Sequence, residues 1–379
     1  MPARTRKSDP PIGRHPARTL PRATPTLDEI ARLAGVSAGT VSRVLNGKNK
    51  ENRSAIAKRS ERIRRIAEEA GYRPNTAART MASGKFKLIA LMTCGEIDVD
   101  WVPVPLLHGI QEALHANKQR LILNDVPAKR FDEAGFIPRL LRENAVDGLL
   151  VHPNTNVTIS AAPTFERQSL PWLWVNAGRE TRSIDPDEDH GAGVLVNFLL
   201  ERGRRHIGYF RLSRASGEGD HFSGPARLAG VHNALNAHDL PIPKLEPVRK
   251  IGTTNEVFFW RDEADRFVQQ RGELDSVVCY EMADAVALHS AAMRHGLRVP
   301  EDLEIACFHD DKIHMHTGIP VTTALIPFRE VGRTAAERLM KLIDAEPGHV
   351  DPSLEERVRV PYHRLCLLDS SERNAPNLP

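Results

Sequence analysis

Beyond Lys87 the chain alternates short apolar runs with amphipathic helical patterns, and this alternation restricts the fold more than any other feature. Strand, helix and strand in succession are typical of βαβ units, which build parallel sheets with helices on both faces. We therefore expect an α/β core with doubly wound parallel sheets. The predicted strands are 88–92, 120–124, 148–152, 172–176, 206–210, 276–280 and 304–308. The predicted helices are 106–117, 136–143, 191–202, 227–237, 263–271, 284–295 and 328–344.

The chain has the length and composition of a soluble globular protein. Its 379 residues exceed one ordinary core and fit a small domain together with a large one. Cys94, Cys279, Cys307 and Cys366 form no CxxC pair, which predicts free thiols rather than disulfides or a zinc site. We find neither an apolar run long enough for a membrane span nor the apolar stretch of a signal peptide. We expect a soluble protein of the reducing cytosol.

Charge is strongly segregated along the chain. Residues 1–87 hold 20 Lys and Arg against 7 Asp and Glu, whereas residues 88–379 hold 32 against 42. A basic end on an acidic body is typical of a nucleic-acid binder, because neutralising phosphates releases condensed counterions. From composition alone, a solvated basic tail remains the alternative.

The basic end contains the pattern of a helix-turn-helix. Residues 1–25 are rich in Arg and Pro and have no helical or strand period, which predicts a disordered arm. A capping hydroxyl and two early acids predict a first helix that begins after Thr26 and ends at Gly35. Ser37 caps a second short helix, and a third is predicted over 60–70. We expect a small all-α head before the α/β core.

Several of these segments match a known family. They are TLDEIARLAGVSAGTVSRVLNG at 26–47, GYRPNTAAR at 71–79, AVDGLL at 145–150, RGRRHI at 202–207, RLAG at 227–230, PVTT at 320–323 and FREVG at 328–332. Together they closely resemble the lactose/galactose repressor family of transcription regulators, over about residues 26–365.

The resemblance implies both an architecture and a function. The implied domains are a disordered basic arm at 1–25, a helix-turn-helix DNA-binding domain at 26–73, a hinge helix and linker at 74–86, a two-lobed effector-binding and dimerisation core like that of periplasmic binding proteins at 87–365, and a C-terminal tail at 366–379. The implied function is a cytoplasmic, nucleoid-associated prokaryotic repressor, not an enzyme and without a cofactor. A homodimer, or alternatively a tetramer, would bind a pseudopalindromic DNA operator under the control of a small, sugar-like effector, with no membrane involved.

In this family the second helix of the head enters the major groove. At the two positions where bases are usually read, the chain has Ala38 and Gly39, and Ala38 is suited to a thymine methyl group. Arg43 is the candidate for a bidentate contact to guanine, while nearby hydroxyls suit phosphates or base edges. A solvated helix face is the alternative for Thr40 and Ser42. The implied DNA-contacting set is Ser37, Ala38, Gly39, Thr40, Ser42, Arg43 and Asn46.

The segment after Gly71 resembles the family's hinge helix, which folds when two subunits lie together on the minor groove. So short a helix is unstable alone, so an effector that separates two paired hinges would weaken DNA binding. Met81 stands where the family commonly has an intercalating leucine. A Lys-, Arg- and Asn-rich insertion at 48–58 either adds phosphate contacts or bulges outward. The implied hinge contacts are Tyr72, Asn75, Ala78, Arg79 and Met81.

The effector site implied by the resemblance lies between the lobes, at the carboxyl ends of the strands. Arg227 matches the arginine that usually fixes effector hydroxyls, with a surface ion pair as the alternative. Glu281 and His309, the latter followed by Asp310, replace an asparagine and an aspartate of the family, which favours a ligand with an amine or another donor group, or a sensor without ordinary binding. Trp101 is suited either to stacking on a sugar or to core packing.

Three other functions remain as alternatives. The run from His309 to His316 contains histidines and carboxylates, which are frequent metal ligands. A metal-dependent hydrolase would use Glu281, His309, Asp310 and His314, although no nucleophile elbow, P-loop or HExxH motif supports it. A ligand-independent, architectural DNA-binding protein with a vestigial sensor is the third alternative.

Overall fold

The computed structural model describes residues 25–46, 54–73, 84–95, 102–133, 135–153, 158–212, 221–242, 256–310, 318–346 and 351–366. These residues belong to two compact units, which divide between Gly84 and Lys85. The predicted arm and the hinge positions Asn75, Ala78, Arg79 and Met81 lie outside the described residues, as does Trp101.

The first unit is a three-helix head. Helices α1 (Leu27–Ala34) and α2 (Ala38–Leu45) are joined by a three-residue turn, and α3 (Ser54–Glu69) packs against both. Thr26 caps α1 through a reciprocal capping box with Glu29, and Gly35 ends α1 in the left-handed region with φ 64°. The shared core consists of Ile30, Ala31, Ala34, Val41, Val44, Ile63 and Ala67. The predicted helix-turn-helix is confirmed.

The third head helix is longer than predicted. It begins at Ser54 instead of Ser60, so part of the insertion at 48–58 is helical. The prediction relied on the apolar residues from Ile63 onward, of which Ile63 and Ala67 face the core. The half-buried Ile56 continues this spacing, but the exposed Lys58 and Arg59 interrupt the pattern between them.

The second unit contains two lobes, each built on one sheet. The first lobe has six parallel strands in the order β10-β5-β4-β3-β1-β2. Its strands are β1 (Leu88–Gly95), β2 (Arg120–Pro127), β3 (Gly148–Pro153), β4 (Trp172–Val175), β5 (Ser183–Pro186) and β10 (Val358–Val360). Its helices are α4 (Val104–Ala116), α5 (Arg139–Arg142), α6 (Thr158–Glu166) and α11 (Phe328–Asp344).

Helices α4 and α11 pack against each other at closely approaching backbones. A β-carbon on Gly109 would overlap the carbonyl oxygen of Arg329, and one on Gly332 would overlap that of Leu106. Only glycine fits at these two positions. Around them, apolar side chains of both helices form one cluster with the face of the sheet, including Ile89, Leu91 and Leu173.

The second lobe has five strands in the order β11-β9-β8-β7-β6, and only the edge strand β11 runs antiparallel. The strands are β6 (Ile207–Phe210), β7 (Ser276–Cys279), β8 (Glu304–His309), β9 (Thr322–Leu325) and β11 (Leu365–Cys366). The helices are α7 (Glu188–Glu201), α8 (Ser223–Ala237), α9 (Glu256–Gln270) and α10 (Met282–Arg294). Two apolar clusters cover the two faces of this sheet.

The chain passes between the two lobes three times. It crosses from β5 to α7 at Asp187, from β9 to α11 at residues 326–327, and from β10 to β11 at residues 361–364. The first and third crossings lie side by side, because the Asp187 amide donates to the carbonyl of Val360 at 2.8 Å. They form a multi-stranded hinge.

The predicted α/β class and all seven predicted strands are confirmed. Five of the seven predicted core helices begin two to seven residues before their predicted starts. The predicted helix at 136–143 is reduced to Arg139–Arg142. Helix α6 and the strands β5, β9, β10 and β11 were not predicted. Cys94, Cys279, Cys307 and Cys366 are free thiols, as expected.

Candidate functional sites: an exposed helix face and an interlobe cavity

Helix α2 exposes a polar face opposite its buried Val41 and Val44. Gly39, Arg43 and Asn46 are exposed at i, i+4 and i+7 spacing, which places them along one face of the helix. The Arg43 Nε donates to the carbonyl of Gly39 at 3.4 Å, and no contact with another described residue engages its two terminal nitrogens. Those nitrogens are therefore available to a partner outside the head.

The other predicted contacts on α2 are partly engaged within the helix. The Ser37 hydroxyl caps α2 by accepting from the Thr40 amide at 3.3 Å and lies 3.0 Å from the Thr40 hydroxyl. The Asn46 amide donates to the Ser42 hydroxyl at 3.2 Å. Ala38 is half-buried, and the predicted hinge contact Tyr72 packs against the head core instead of standing free.

A cavity of about 660 Å³ separates the two lobes of the core. This volume lies in the range of small-molecule sites. The first lobe lines it with His152, Asn176 and Phe328, among others, while the second lobe supplies the remaining polar groups. The second-lobe polar residues are His221, Ser223, Arg227, Tyr280, Glu281, His309 and Asp310. Most polar lining residues of the two lobes lie at or just after the carboxyl ends of β3, β4, β7 and β8. The others lie just before or within the first turns of α8, as expected for a site at the carboxyl ends of parallel strands.

Arg227 lines the cavity, but its charge is compensated inside the protein. Its Nε and Nη2 donate to both carboxylate oxygens of Glu188, at 2.7 and 3.1 Å, and its Nη1 donates to the Tyr280 carbonyl at 2.8 Å. The rings of Tyr280 and Phe308 lie 4.7 and 4.5 Å from its guanidinium carbon. Burial opposes the charge, yet Glu188 outweighs it and raises the pKa of Arg227 above its usual range. The alternative of a surface ion pair is wrong, since the pair is buried.

The same ion pair is anchored to the hinge. Glu188 begins α7 directly after the first crossing, and the hydroxyl of Tyr362 on the third crossing donates to its Oε2 at 2.7 Å. Tyr362 is fully buried, and a β-carbon on Gly191 would collide with its ring. Glu188 therefore connects Arg227, which lines the cavity, to two of the three crossings between the lobes.

A hydrogen-bonded chain with a fixed direction crosses the cavity. The Nε2 of His221 must donate to the Asn176 carbonyl at 2.9 Å, since a carbonyl only accepts. Burial lowers the pKa of His221 to about 3, so the ring is neutral and its Nδ1 accepts from the Ser223 hydroxyl at 2.8 Å. The Ser223 oxygen then accepts from the Tyr280 hydroxyl at 2.8 Å. The chain also joins the lobes, because Asn176 and His221 belong to different ones.

Carboxylates gather where β7 and β8 end. Glu281 follows β7 at the start of α10, and Asp310 follows β8, with its Oδ1 3.4 Å from the Nε2 of His309. Behind them Asp284 accepts from the amides of Leu212 and Glu281 at 3.1 and 3.3 Å. Burial, and next the charge of Glu281, raise the pKa of Asp284 well above its usual range.

The structure brings together four of the five predicted effector residues, namely Arg227, Glu281, His309 and Asp310, because all four line the cavity. Sequence reasoning missed His152 and Asn176, which stand at the ends of predicted strands and were accessible to the same strand-end rule. It also missed Glu188 and Tyr362, for which no local signal exists.

Among the described residues, no group of three or more His, Cys, Asp or Glu side chains is arranged to hold a metal ion. Most of the run from His309 to His316 lies outside those residues. Within the described part of the chain, no helix has the length and apolar character that a bilayer crossing requires.

Comparison with known families places both units. The family described as "Bacterial regulatory proteins, lacI family" matches residues 26–75, and the family described as "Periplasmic binding protein-like domain" matches residues 196–365. The chain belongs to the lacI family of bacterial regulatory proteins. The head described above is the DNA-binding domain of this family, and the two-lobed core is its periplasmic-binding-protein-like domain.

Relatives and solved structures agree with this placement. The chain is 24% identical over 322 residues to the HTH-type transcriptional repressor PurR of Vibrio atlanticus (strain LGP32), covering 84% of this chain and 92% of that protein. It is 23% identical to the catabolite control protein A of Staphylococcus aureus (strain MRSA252), over 90% and 98% of the two chains.

Among solved structures, the Lac repressor dimer bound to operator and the anti-inducer ONPF matches with a TM-score of 0.67 and 21% identity, over 90% of this chain and 97% of that one. The transcriptional regulator CelR in complex with cellobiose matches with a TM-score of 0.58 and 23% identity, over 90% and 98%. At such identities the structures establish the fold. The family match of the head makes this lacI-family chain a DNA-binding transcription regulator.

Proposed function

We propose that this chain is a homodimeric repressor that reads a pseudopalindromic operator with α2 and is controlled by a small molecule held in the interlobe cavity. The observation that carries the proposal is the exposed face of α2, on which Arg43 keeps both terminal nitrogens for an external partner. Such a fork is suited to the O6 and N7 acceptors of guanine in the major groove. The symmetric operator follows if two heads bind as a pair.

The experiment is a selection of bound duplexes from random DNA at about 150 mM salt, a concentration at which nonspecific phosphate contacts are weakened. We expect the full-length chain to enrich one palindromic sequence. Replacing Arg43 with Ala should weaken binding to it by about 1–3 kcal/mol and relax the preference at one base pair in each half-site.

Replacing Arg32, an exposed arginine on α1, with Ala is the matched control, because it removes the same charge from the same head. It should lower affinity for selected and random duplexes alike. Uniform enrichment of all sequences by the unaltered chain would favour an architectural DNA-binding protein and overturn the proposed repressor.

Control by a small molecule is supported by the cavity, which has the volume and the strand-end position of a ligand site. An enzyme is not favoured. Ser223 and His221 have the spacing of a nucleophile and its base, but a histidine with a pKa of about 3 is too weak a base at neutral pH. A ligand that binds the folded core must raise its melting temperature, which a thermal-shift screen measures.

The molecule bound in the cavity should also change the affinity of the chain for the operator.

The hinge positions Asn75, Ala78, Arg79 and Met81 remain proposals for minor-groove contact. Met81→Ala tests whether the Met81 side chain inserts between base pairs as a wedge. We expect that variant to bind the selected operator more weakly while its core melts at the unchanged temperature. Equal operator affinity for Met81→Ala and the unaltered chain would exclude the wedge.

A further inference from the structure

We propose that the interlobe cavity recognises a small organic cation, whose protonated amine is bound by Glu281 and Asp310. This inference rests on the proposed role of the cavity as the effector site. It names the chemical class of the effector from the charges and hydrogen-bond directions of this chain's own residues.

The first step concerns the positive charge of the cavity. Of the described lining residues, only Arg227 is a lysine or arginine. Three of its five N–H donors are used by Glu188 and the Tyr280 carbonyl, and aromatic rings lie against its guanidinium. Because Glu188 already balances the guanidinium charge in a buried bidentate pair, Arg227 offers a carboxylate or phosphate ligand no net positive charge.

The second step concerns the negative charge. Glu281 and Asp310 line the same cavity and follow the adjacent strands β7 and β8, which pair in register from Ser276 and Glu304 to Cys279 and Cys307. His309 lies beside Asp310, but the described lining contains no lysine or arginine directed to Glu281. With the charge of Arg227 balanced by Glu188, Glu281 and Asp310 are the carboxylates that the described lining presents to a ligand.

The third step concerns hydrogen-bond direction. The proton of Ser223 is donated to His221, and that of Tyr280 is donated to Ser223, so the Tyr280 oxygen presents lone pairs. On the first lobe, His152 Nδ1 lies 3.1 Å from the Val175 carbonyl and must be the donor, so this nitrogen is not available to a ligand. The Tyr280 oxygen and the two carboxylates are thus acceptors that complement the N–H donors of an amine.

The apolar lining fits the same class. Trp260, Phe308 and Phe328 are among the aromatic residues of the wall. Aromatic faces attract ammonium groups and also accommodate the flat or apolar body of a ligand. A protonated amine on a ring-sized body therefore satisfies the carboxylates, the acceptors and the wall together.

The test compares ligands that share a body and differ in charge. Full-length protein at pH 7 is titrated with tyramine, tyrosol and 4-hydroxyphenylacetate, which carry an amine, an alcohol and a carboxylate. Glucosamine and glucose form a second pair. Binding is measured by saturation-transfer NMR, which detects millimolar dissociation constants. We expect at least one amine to bind about tenfold more tightly than its matched alcohol, and the carboxylate to bind least.

Variants then locate the recognition. Glu281→Gln keeps the size of the side chain and should abolish the preference for the amine, lowering amine affinity about tenfold while leaving the alcohol unaffected. Glu201→Gln is the control, because it removes the same charge from an exposed position at the end of α7. Glu201→Gln should leave all affinities unchanged. The melting temperatures of Glu201→Gln and Glu281→Gln report whether both variants are folded.

The inference is overturned if the alcohols or the carboxylate bind as tightly as the amines, if neither amine binds up to about 50 mM, or if the amine preference survives in Glu281→Gln. The proposed function has a separate readout in operator binding. Cation binding without any effect on operator affinity would refute the proposed control and leave this inference standing. Sequence-specific operator binding without amine preference would refute this inference alone.

Discussion

The buried pair between Arg227 and Glu188 makes the sharpest energetic prediction. The side chains are 5% and 3% exposed, so each charge is stabilised by the other and not by water. Replacing Glu188 with Gln keeps an acceptor for Tyr362 but leaves the guanidinium without a counter-charge. Removing one partner of such a pair typically costs about 3–5 kcal/mol. We expect Glu188→Gln to lower the free energy of unfolding of the core by that amount.

The double variant separates the pair from its surroundings. Arg227→Met alone leaves a buried carboxylate and should cost about 3–5 kcal/mol as well. The double variant contains neither charge, and replacing a buried ion pair as a whole is often close to neutral, so its loss should be far smaller than the sum of the single losses, which is about 6–10 kcal/mol. Urea unfolding followed by tryptophan fluorescence gives the three values. Additive losses, or a loss below about 1 kcal/mol for Glu188→Gln, would refute the role assigned to the pair.

Three further predictions follow from single contacts. Folded His221 has a pKa of about 3 against an ordinary 6.5, so below pH 6.5 only the unfolded chain takes up its proton. The free energy of unfolding should therefore decrease as the pH falls between these values, by about 1.4 kcal/mol per pH unit. Urea unfolding at pH 6.5 and at pH 5 should show a smaller decrease for His221→Gln than for the unaltered chain. Gly332→Ala would force α4 and α11 apart and should cost about 1–3 kcal/mol in core unfolding, whereas Gly193→Ala on α7, where an added methyl group meets no other atom, should not. Thr26→Ala removes the capping box of α1 and should cost the head about 1 kcal/mol by thermal unfolding, while an unchanged head would contradict the cap.

The head was predictable because its signals are local. The cap at Thr26, the turn at Gly35 and the second cap at Ser37 each lie within a few residues of the backbone groups they satisfy. The first turns of α3 were missed although Ile56 is half-buried there, because the exposed Lys58 and Arg59 interrupt the apolar pattern before Ile63. The turn between α1 and α2 was therefore predictable from local signals, whereas the start of α3 was not.

The core strands also divide into those that the sequence predicted and those that it did not. Strands such as β3 and β4 are entirely buried and mostly apolar, and their runs were visible in the sequence. Strand β5 was missed because it carries the polar Ser183 and Asp185 into the interior. Asp185 is satisfied there by the amide of Ala177 and by Arg357, which is 172 residues away. A buried carboxylate with a distant partner breaks the pattern on which strand prediction depends.

The candidate effector site shows why contact residues and ligand chemistry are separate predictions. The strand-end rule placed Glu281, His309 and Asp310 correctly, because it depends only on the order of strands and helices. The compensation of the Arg227 charge was not predictable, since its partner Glu188 lies 39 residues earlier in the chain. Glu188 is in turn bound by Tyr362, which lies 174 residues after Glu188. Those three residues meet only because the lobe crossings are adjacent. With its charge balanced by Glu188, Arg227 no longer offsets the carboxylates Glu281 and Asp310 of the lining. In the proposed site the hinge therefore contributes to the choice of ligand together with the residues that line the cavity.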